Sequence, residues 1–204
     1  MKIVRIENYR TDENCYMLIN NGQAVVIDPG SSAEVIIERA GSEGAEIKYI
    51  LLTHCHYDHI EGVPELREKT GAALALTDIC AKNAADKNVN MTEAGIGRAV
   101  EITEPEIILK SEAELCGINI KVLRTPGHTS CGCCFLAENH LFSGDTLFLR
   151  SIGRWDLPTG DEETLKKSIK EVLYSLDDDI DVHPGHGADT KIGYEKKYNF
   201  YCKG

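Results

Sequence analysis

Apolar residues recur along this chain in short runs separated by turn-forming residues. Residues 2–6, 16–19 and 24–27 read as three short strands. Asn20-Asn21-Gly22 joins the last two, because Asn and Gly tolerate the positive φ of a tight turn. Asp28-Pro29-Gly30 ends the third strand. Ser31-Ser32 precedes a predicted helix over 33–40, with Val35, Ile36 and Ile37 to bury, and Gly41-Ser42-Glu43-Gly44 breaks it. The apolar run over 47–52 reads as a buried strand. Glu61-Gly62-Val63-Pro64 opens a helix to about residue 70, Pro64 being tolerated in the first turn. Residues 72–76 form another predicted strand.

The pattern then weakens. Residues 77–105 are the least regular part, and Asp86 to Met91 is polar with little periodicity. A second set of strands is predicted over 106–110, 118–124, 132–137 and 140–143, with Glu138-Asn139 as a hairpin turn. Asp161 is placed to cap a helix running to about residue 174, residues 178–182 form a short strand, and Tyr194 begins a closing helix. Periodicity alone predicts mixed α and β in two strand-rich halves, and 204 residues are compatible with one domain, 1–204.

Composition narrows the partners. A net charge of −11 argues against a nucleic-acid ligand, which leaves a basic footprint. No apolar run approaches the roughly 18 residues of a membrane span. Met1-Lys2-Ile3-Val4-Arg5 lacks the apolar core of a signal peptide, so the expected location is cytoplasmic. Of the eight cysteines, Cys131, Cys133 and Cys134 are crowded, but no second pair has zinc-finger spacing; reduced thiols are expected, with Cys133 and Cys134 as small core residues.

The candidate chemistry concentrates in Thr53-His54-Cys55-His56-Tyr57-Asp58-His59, directly after the predicted strand over 47–52. In extended chain His54, His56 and Asp58 point to one side and Cys55 and Tyr57 to the other, and a turn at Asp58-His59 lets neighbours serve one centre. The His-x-His-x-Asp-His spacing suits two adjacent metals better than one. Thr125-Pro126-Gly127-His128, Ser143-Gly144-Asp145-Thr146 and Pro184-Gly185-His186-Gly187 each follow an apolar run and add a His, an Asp and a His. Five of the seven His fall in this pattern.

These four stretches, in this order, resemble the signature of the metallo-β-lactamase superfamily. The resemblance implies an α+β fold, a four-layer αββα sandwich with every ligand loop along one sheet edge. It implies that His54, His56 and His128 hold one metal, that Asp58, His59 and His186 hold a second, and that Asp145 bridges them. Asp58 and Asp145 are then also the catalytic carboxylates. Two divalent ions are expected, zinc first, with iron or manganese as alternatives. Two such cations lower the pKa of a shared water from 15.7 toward roughly 7 and supply a hydroxide for attack. In relatives a turn like Asp28-Pro29-Gly30 lies close under the metals, yet a turn-forming role for Asp28 is the simpler reading.

The run Gly153-Arg154-x-Asp156-Leu157-Pro158-x-Gly160-Asp161 is similar to compact glyoxalase II-like hydrolases, which act on hydroxyacylglutathione and related thioesters. Glyoxalase II itself carries a helical extension that helps bind glutathione, whereas residues 187–204 alone follow His186 here. Recognition is then expected from residues 86–92 and 147–158, with Lys87, Arg150 and Arg154 as cations and Trp155 as an apolar wall. Arg154 can grip a substrate carboxylate or serve as a structural ion pair. The expected partner is a small-molecule thioester, with neither nucleic acid nor membrane, and the oligomeric state is left open. A persulfide dioxygenase with one iron and a non-enzymatic metal-binding module are the alternatives, and β-lactam cleavage is not expected of a cytoplasmic protein.

Overall fold

Strands buried on both faces build the frame. In β2 (Glu13–Asn20) Cys15, Met17 and Ile19 join one core while Tyr16 and Leu18 join another. In β3 (Gln23–Ile27) Ala24 and Val26 part from Val25 and Ile27 in the same way. This period-two division is what a sheet covered on both sides requires. The structure, a computed structural model, describes residues 1–203.

The first sheet runs in chain order: β1 (Lys2–Asn8), β2, β3, β4 (Glu46–Leu51), β5 (Ala73–Thr77) and β6 (Ile107–Leu109). Its first three strands are an antiparallel meander, and β3 to β6 are parallel, linked by helices. The second sheet is built from β7 (Glu112–Leu115), β8 (Ile118–Arg124), β9 (Cys133–Ala137), β10 (His140–Gly144), β13 (Asp181–Pro184) and β14 (Thr190–Lys191). All its pairs are antiparallel except β10 with β13. A small hairpin, β11 (Leu147–Phe148) with β12 (Ser151–Ile152), stands apart.

The sheets meet through Leu18, Val25 and Leu51 on one side and Val122, Phe135 and Phe142 on the other. Outside the first sheet lie α1 (Ala33–Ser42) and α3 (Val63–Thr70), burying Ile36 and Leu66. Outside the second, Leu165, Ile169 and Ile192 cover Cys134 and Leu141. These are the four layers expected. Burying a side chain such as Phe135 stabilises by roughly 1.5–3 kcal/mol, and the whole stack fixes the sheet edge from which the ligand loops emerge.

Three departures have local causes. Strand β7 was not expected, because Ser111-Glu112-Ala113-Glu114 is polar; it is an edge strand that buries only Leu115 and is joined to β8 by a turn with Cys116 and Gly117 at φ 53° and 70°. Residues 77–105 hold three short helices, α4 (Asp78–Ala84), α5 (Lys87–Asn90) and α6 (Thr92–Ile96). The side chains of Thr77 and Asp86 cap the first two, a signal that the weak periodicity obscured. The helix capped by Asp161, whose Oδ1 accepts from Thr164 N at 2.8 Å, is α-helical only over Glu162–Lys167 (α7); a π turn and a 3₁₀ turn carry it to Ser175. The closing helix is α8 (Ile192–Tyr198), and no helix among the described residues is long and apolar enough to cross a membrane.

Candidate metal centre

The loop after β4 is held from beneath before it reaches its first histidine. Asp28 Oδ1 accepts from Thr53 N at 2.7 Å, and Asp28 Oδ2 accepts from Thr53 Oγ1 at 2.6 Å. Cys133 N donates to Thr53 O at 2.9 Å, tying the loop to the second sheet. His54 and His56 follow in extended chain, and the expected turn is a single helical one, α2 (Tyr57–Ile60), closed by His59 N donating to His56 O at 3.0 Å. His128 arrives after β8, Asp145 after β10 and His186 after β13, so all seven candidate ligands lie at one edge.

Two clusters result. His54, His56 and His128 offer nitrogens within 4.8 Å of one another, and so do the ligand atoms of Asp58, His59 and His186. His54, Asp28 and His59 also satisfy this spacing, but the Asp28 oxygens are already committed to Thr53 and His59. Asp145 lies between the two clusters. Its Oδ1 is 3.5 Å from His59 Nε2, and its Oδ2 is 3.6 Å from His128 Nε2 and 3.7 Å from His186 Nε2. His186 Nε2 is also 3.3 Å from Asp58 Oδ2.

The outer nitrogens set the direction of the inner ones. His59 Nδ1 donates to Asp28 Oδ2 at 3.1 Å, His128 Nδ1 to Arg154 O at 2.7 Å and His186 Nδ1 to Asp12 O at 3.0 Å. The Thr53 hydroxyl spends its proton on Asp28, so its oxygen accepts from His54 Nδ1 at 3.1 Å. Four imidazoles thus carry a proton on Nδ1 and turn Nε2 inward, the arrangement that orients metal-binding histidines. His56 is reversed and brings Nδ1 to within 2.9 Å of His128 Nε2. His54 Nε2, His59 Nε2 and Asp145 Oδ1 are buried with no hydrogen-bond partner among the described residues. Such atoms are costly unless something binds them. Convergent imidazoles and carboxylates of this kind fit divalent metal ions.

Close packing under the clusters requires glycine at two positions. A Cβ on Gly185 would lie 2.4 Å from Asp145 Oδ1 and 2.7 Å from His59 Cε1. A Cβ on Gly30 would lie 1.6 Å from Asp58 O.

Electrostatics separate the clusters. Burial pushes the imidazoles of His54 and His56 below their ordinary range, His56 down to about 4. Burial also opposes charge on His59 and His186, but the carboxylates of Asp145 and Asp58 outweigh it and raise both. Burial would raise Asp145 and Asp58; His59, with His186, outweighs it and lowers them.

The other expected site residues are placed as follows. Arg154 donates from Nε and Nη2 to Asp156 at 2.8 Å each, an exposed fork, while its carbonyl serves His128. Lys87 pairs with Glu93 at 3.4 Å on the surface. The Arg150 guanidinium lies 5.7 Å from the Tyr194 ring centroid and 5.8 Å from that of Phe200. Trp155 packs edge-on against Tyr201 at 6.1 Å. Phe148 is the aromatic side chain of this hairpin that reaches the metal cluster, 6.3 Å from His186. His140 and His183 bond to each other at 3.0 Å, and His183 contacts Asp189 at 3.3 Å, away from the metal clusters. Asp28 corrects an expectation: it is both a turn residue, at φ 52°, and the support of His59 and Thr53. The carbonyls of Asp12 and Arg154 carry no signal in residue type.

With this geometry established, the comparisons agree. The family model described as the metallo-beta-lactamase superfamily matches residues 9–186. A probable metallo-hydrolase of Streptococcus pyogenes serotype M6 is 35% identical, covering 98% of this chain and 89% of its own. The hydroxyacylglutathione hydrolase GloC of Haemophilus influenzae is 34% identical, covering 92% of this chain and 91% of its own. The crystal structure of the B3 metallo-β-lactamase BLEG-1 superposes with a TM-score of 0.93 at 32% identity, covering 100% of both chains. That of TTHA1623 in a di-iron-bound form gives 0.83 at 31% identity, covering 97% of this chain and 99% of the other. The chain belongs to the metallo-β-lactamase superfamily, and its general class is that of the metallo-hydrolases.

Proposed function

We propose that the chain is a single-domain, binuclear metal-dependent thioester hydrolase of the hydroxyacylglutathione hydrolase kind. The observation that carries this reading is the pair of clusters sharing Asp145, each with nitrogens or oxygens turned inward. His54, His56 and His128 would hold one ion and Asp58, His59 and His186 the other, with Asp145 placed between the two groups. Bound divalent ions supply Lewis acidity and bring the pKa of water from 15.7 toward roughly 7. The similarity to GloC supports the thioester, and the eight unpaired thiols fit a reducing, cytoplasmic setting.

The chain's own residues divide the remaining work. Asp145 fixes the separation of the clusters. Asp58, at the more open cluster, is the carboxylate placed to take a proton from the attacking water. No serine or cysteine nucleophile is needed, because a thiolate leaves with little proton assistance when its thiol pKa is roughly 8.5. Arg154, in an exposed pair with Asp156, is placed to exchange that partner for a substrate carboxylate.

The test is elemental analysis of protein purified without chelators, followed by a panel of thioesters, S-lactoylglutathione among them, with a β-lactam alongside. Two zinc, iron or manganese ions per chain and turnover of several thioesters are expected. One tightly held iron, with the second cluster empty in excess metal, would move the assignment to a persulfide dioxygenase. β-Lactam cleavage without thioester turnover would overturn the substrate, and metal binding without turnover would leave a binding module.

A further inference from the structure

A group of thiols lies directly behind the three-histidine cluster, and the proposed hydrolysis does not use it. Cys55 stands between His54 and His56 but points into the core it shares with Cys80 and Cys131; all three are buried. Cys131 follows His128 by three residues. The Cys55 and Cys131 sulfurs are 3.9 Å apart. Their backbones are already tied close by, through the bond from Cys133 N to Thr53 O at 2.9 Å. The neighbouring thiols face elsewhere: Cys133 Sγ lies 3.4 Å from Thr53 O, and Cys134 Sγ lies 3.6 Å from Ser143 O.

We propose that Cys55 and Cys131 form a reversible disulfide that couples oxidation of the chain to the geometry of the three-histidine cluster. The oxidant is a hydroperoxide. One sulfur, as thiolate, attacks the peroxide oxygen and becomes a sulfenic acid, and the alcohol leaves, or water when the oxidant is hydrogen peroxide. The second sulfur then attacks the first; the sulfenic oxygen departs as water, and the S–S bond forms. Two electrons pass from the sulfurs to the peroxide, and both thiol protons leave on the released oxygens. Closing the gap from 3.9 Å to about 2.05 Å draws the loop of His128 onto the loop of His54 and His56. A misplacement of about 1 Å near reacting groups can cost about a hundredfold in rate, so at least a tenfold loss of turnover is expected. That part rests on the proposed hydrolase; the disulfide does not.

The experiment treats full-length, metal-loaded protein with graded hydrogen peroxide, blocks remaining thiols, and reads intact mass, non-reducing peptide maps and metal content. Loss of two hydrogens per chain, one linked peptide joining Cys55 to Cys131, and loss of metal or turnover reversed by dithiothreitol are expected. Cys131→Ser should abolish the link, and Cys80→Ser should leave it. Sulfinic acid without a link, or a link through other cysteines, overturns the proposal in the wild-type protein whatever the variants do. A Cys55–Cys131 link with unchanged metal content and turnover overturns the coupling. If no thioester is cleaved, metal content still decides, so failure of the substrate reading and failure of the disulfide remain distinguishable.

Discussion

The two candidate metal clusters share the loop after β4 yet differ in kind. His54, His56 and His128 are 2–4% exposed, and burial holds His54 and His56 neutral without a metal. The other cluster opens to solvent at His186, 26% exposed, and carries its own carboxylate in Asp58. His59 and His186 there face the carboxylates of Asp145 and Asp58, which raise both above the ordinary imidazole range against the effect of burial. Neutral, enclosed imidazoles present lone pairs at no protonic cost. The open cluster must give up protons to take a cation, and it is where a substrate can arrive. On the proposed function, the first cluster is then a fixed seat and the second the working face.

Asp145 joins the two, so its loss tests the comparison most severely. Asp145→Ala should remove the oxygens shared by both clusters and cost about a thousandfold or more in turnover, the several kcal/mol expected when metal-based charge stabilisation is disrupted. Metal analysis should find fewer than two ions while circular dichroism stays native. A variant that keeps two ions and normal kinetics would show that the clusters act independently. Next in size is Asp58→Ala, which should keep one ion in the enclosed cluster and lose most turnover. Loss of both ions would mean that the enclosed cluster is not self-sufficient.

Asp28 reaches the working face through His59. Asp28→Asn keeps the shape and removes the charge that receives the His59 and Thr53 protons. Changes to such supporting groups cost about 10–100-fold in metal affinity or activity. The loss should fall on the second equivalent in a metal titration. Equal weakening of both equivalents would place Asp28 under the whole loop through Thr53 rather than under His59.

How much of this was legible in the sequence follows the same division. His54, His56, Asp58, His59, His128, Asp145 and His186 were named because their four stretches resemble the superfamily signature; each stretch follows a short apolar strand, and the strand ends bring all seven to one edge. The four layers followed from the resemblance, and period-two burial in β2, β3 and β8 accounts for them. The supports could not be found in this way. Asp28-Pro29-Gly30 is a sufficient turn by itself, so its second task under His59 leaves no trace. The Asp12 and Arg154 carbonyls belong to the backbone and have no residue code. Cys55 was expected to point away from His54 and His56, but its approach to Cys131, 76 positions later, depends on how the sheets stack. The helices of residues 77–105 hide because each is only a turn or two long and buries little.

The contrast also predicts opposite pH responses in metal-free protein. His56 has a folded pKa of about 4 against roughly 6.5 unfolded. Between those values the unfolded chain holds the extra proton, so stability falls as pH drops through that window. His186 is raised; its contribution is fully present below roughly 6.5 and is lost as pH rises through its folded value. Relative to wild type, His56→Ala should therefore gain stability on going from pH 7 to pH 5, by about 2 kcal/mol, whatever its packing cost at pH 7. His186→Ala should show the reverse slope. Denaturant titrations at the two pH values measure both, and parallel slopes would refute the electrostatic division of the clusters.

The smallest expected effect lies outside both clusters, at the rim. The Arg154 fork to Asp156 is exposed on both sides, and exposed pairs contribute about 0–1 kcal/mol. Breaking that pair to receive a substrate carboxylate therefore costs little, and bidentate geometry suits the exchange. Removing the side chain does not remove the Arg154 carbonyl that receives the His128 proton, so the enclosed cluster should survive in Arg154→Ala. The variant should raise KM several-fold for an acidic thioester, leave a matched neutral thioester unchanged, and keep kcat for both. Steady-state kinetics on that pair decide it. Equal losses on the two substrates, or a fall in metal content, would assign Arg154 to holding the 153–158 loop under His128 and leave substrate charge to be read elsewhere on the rim.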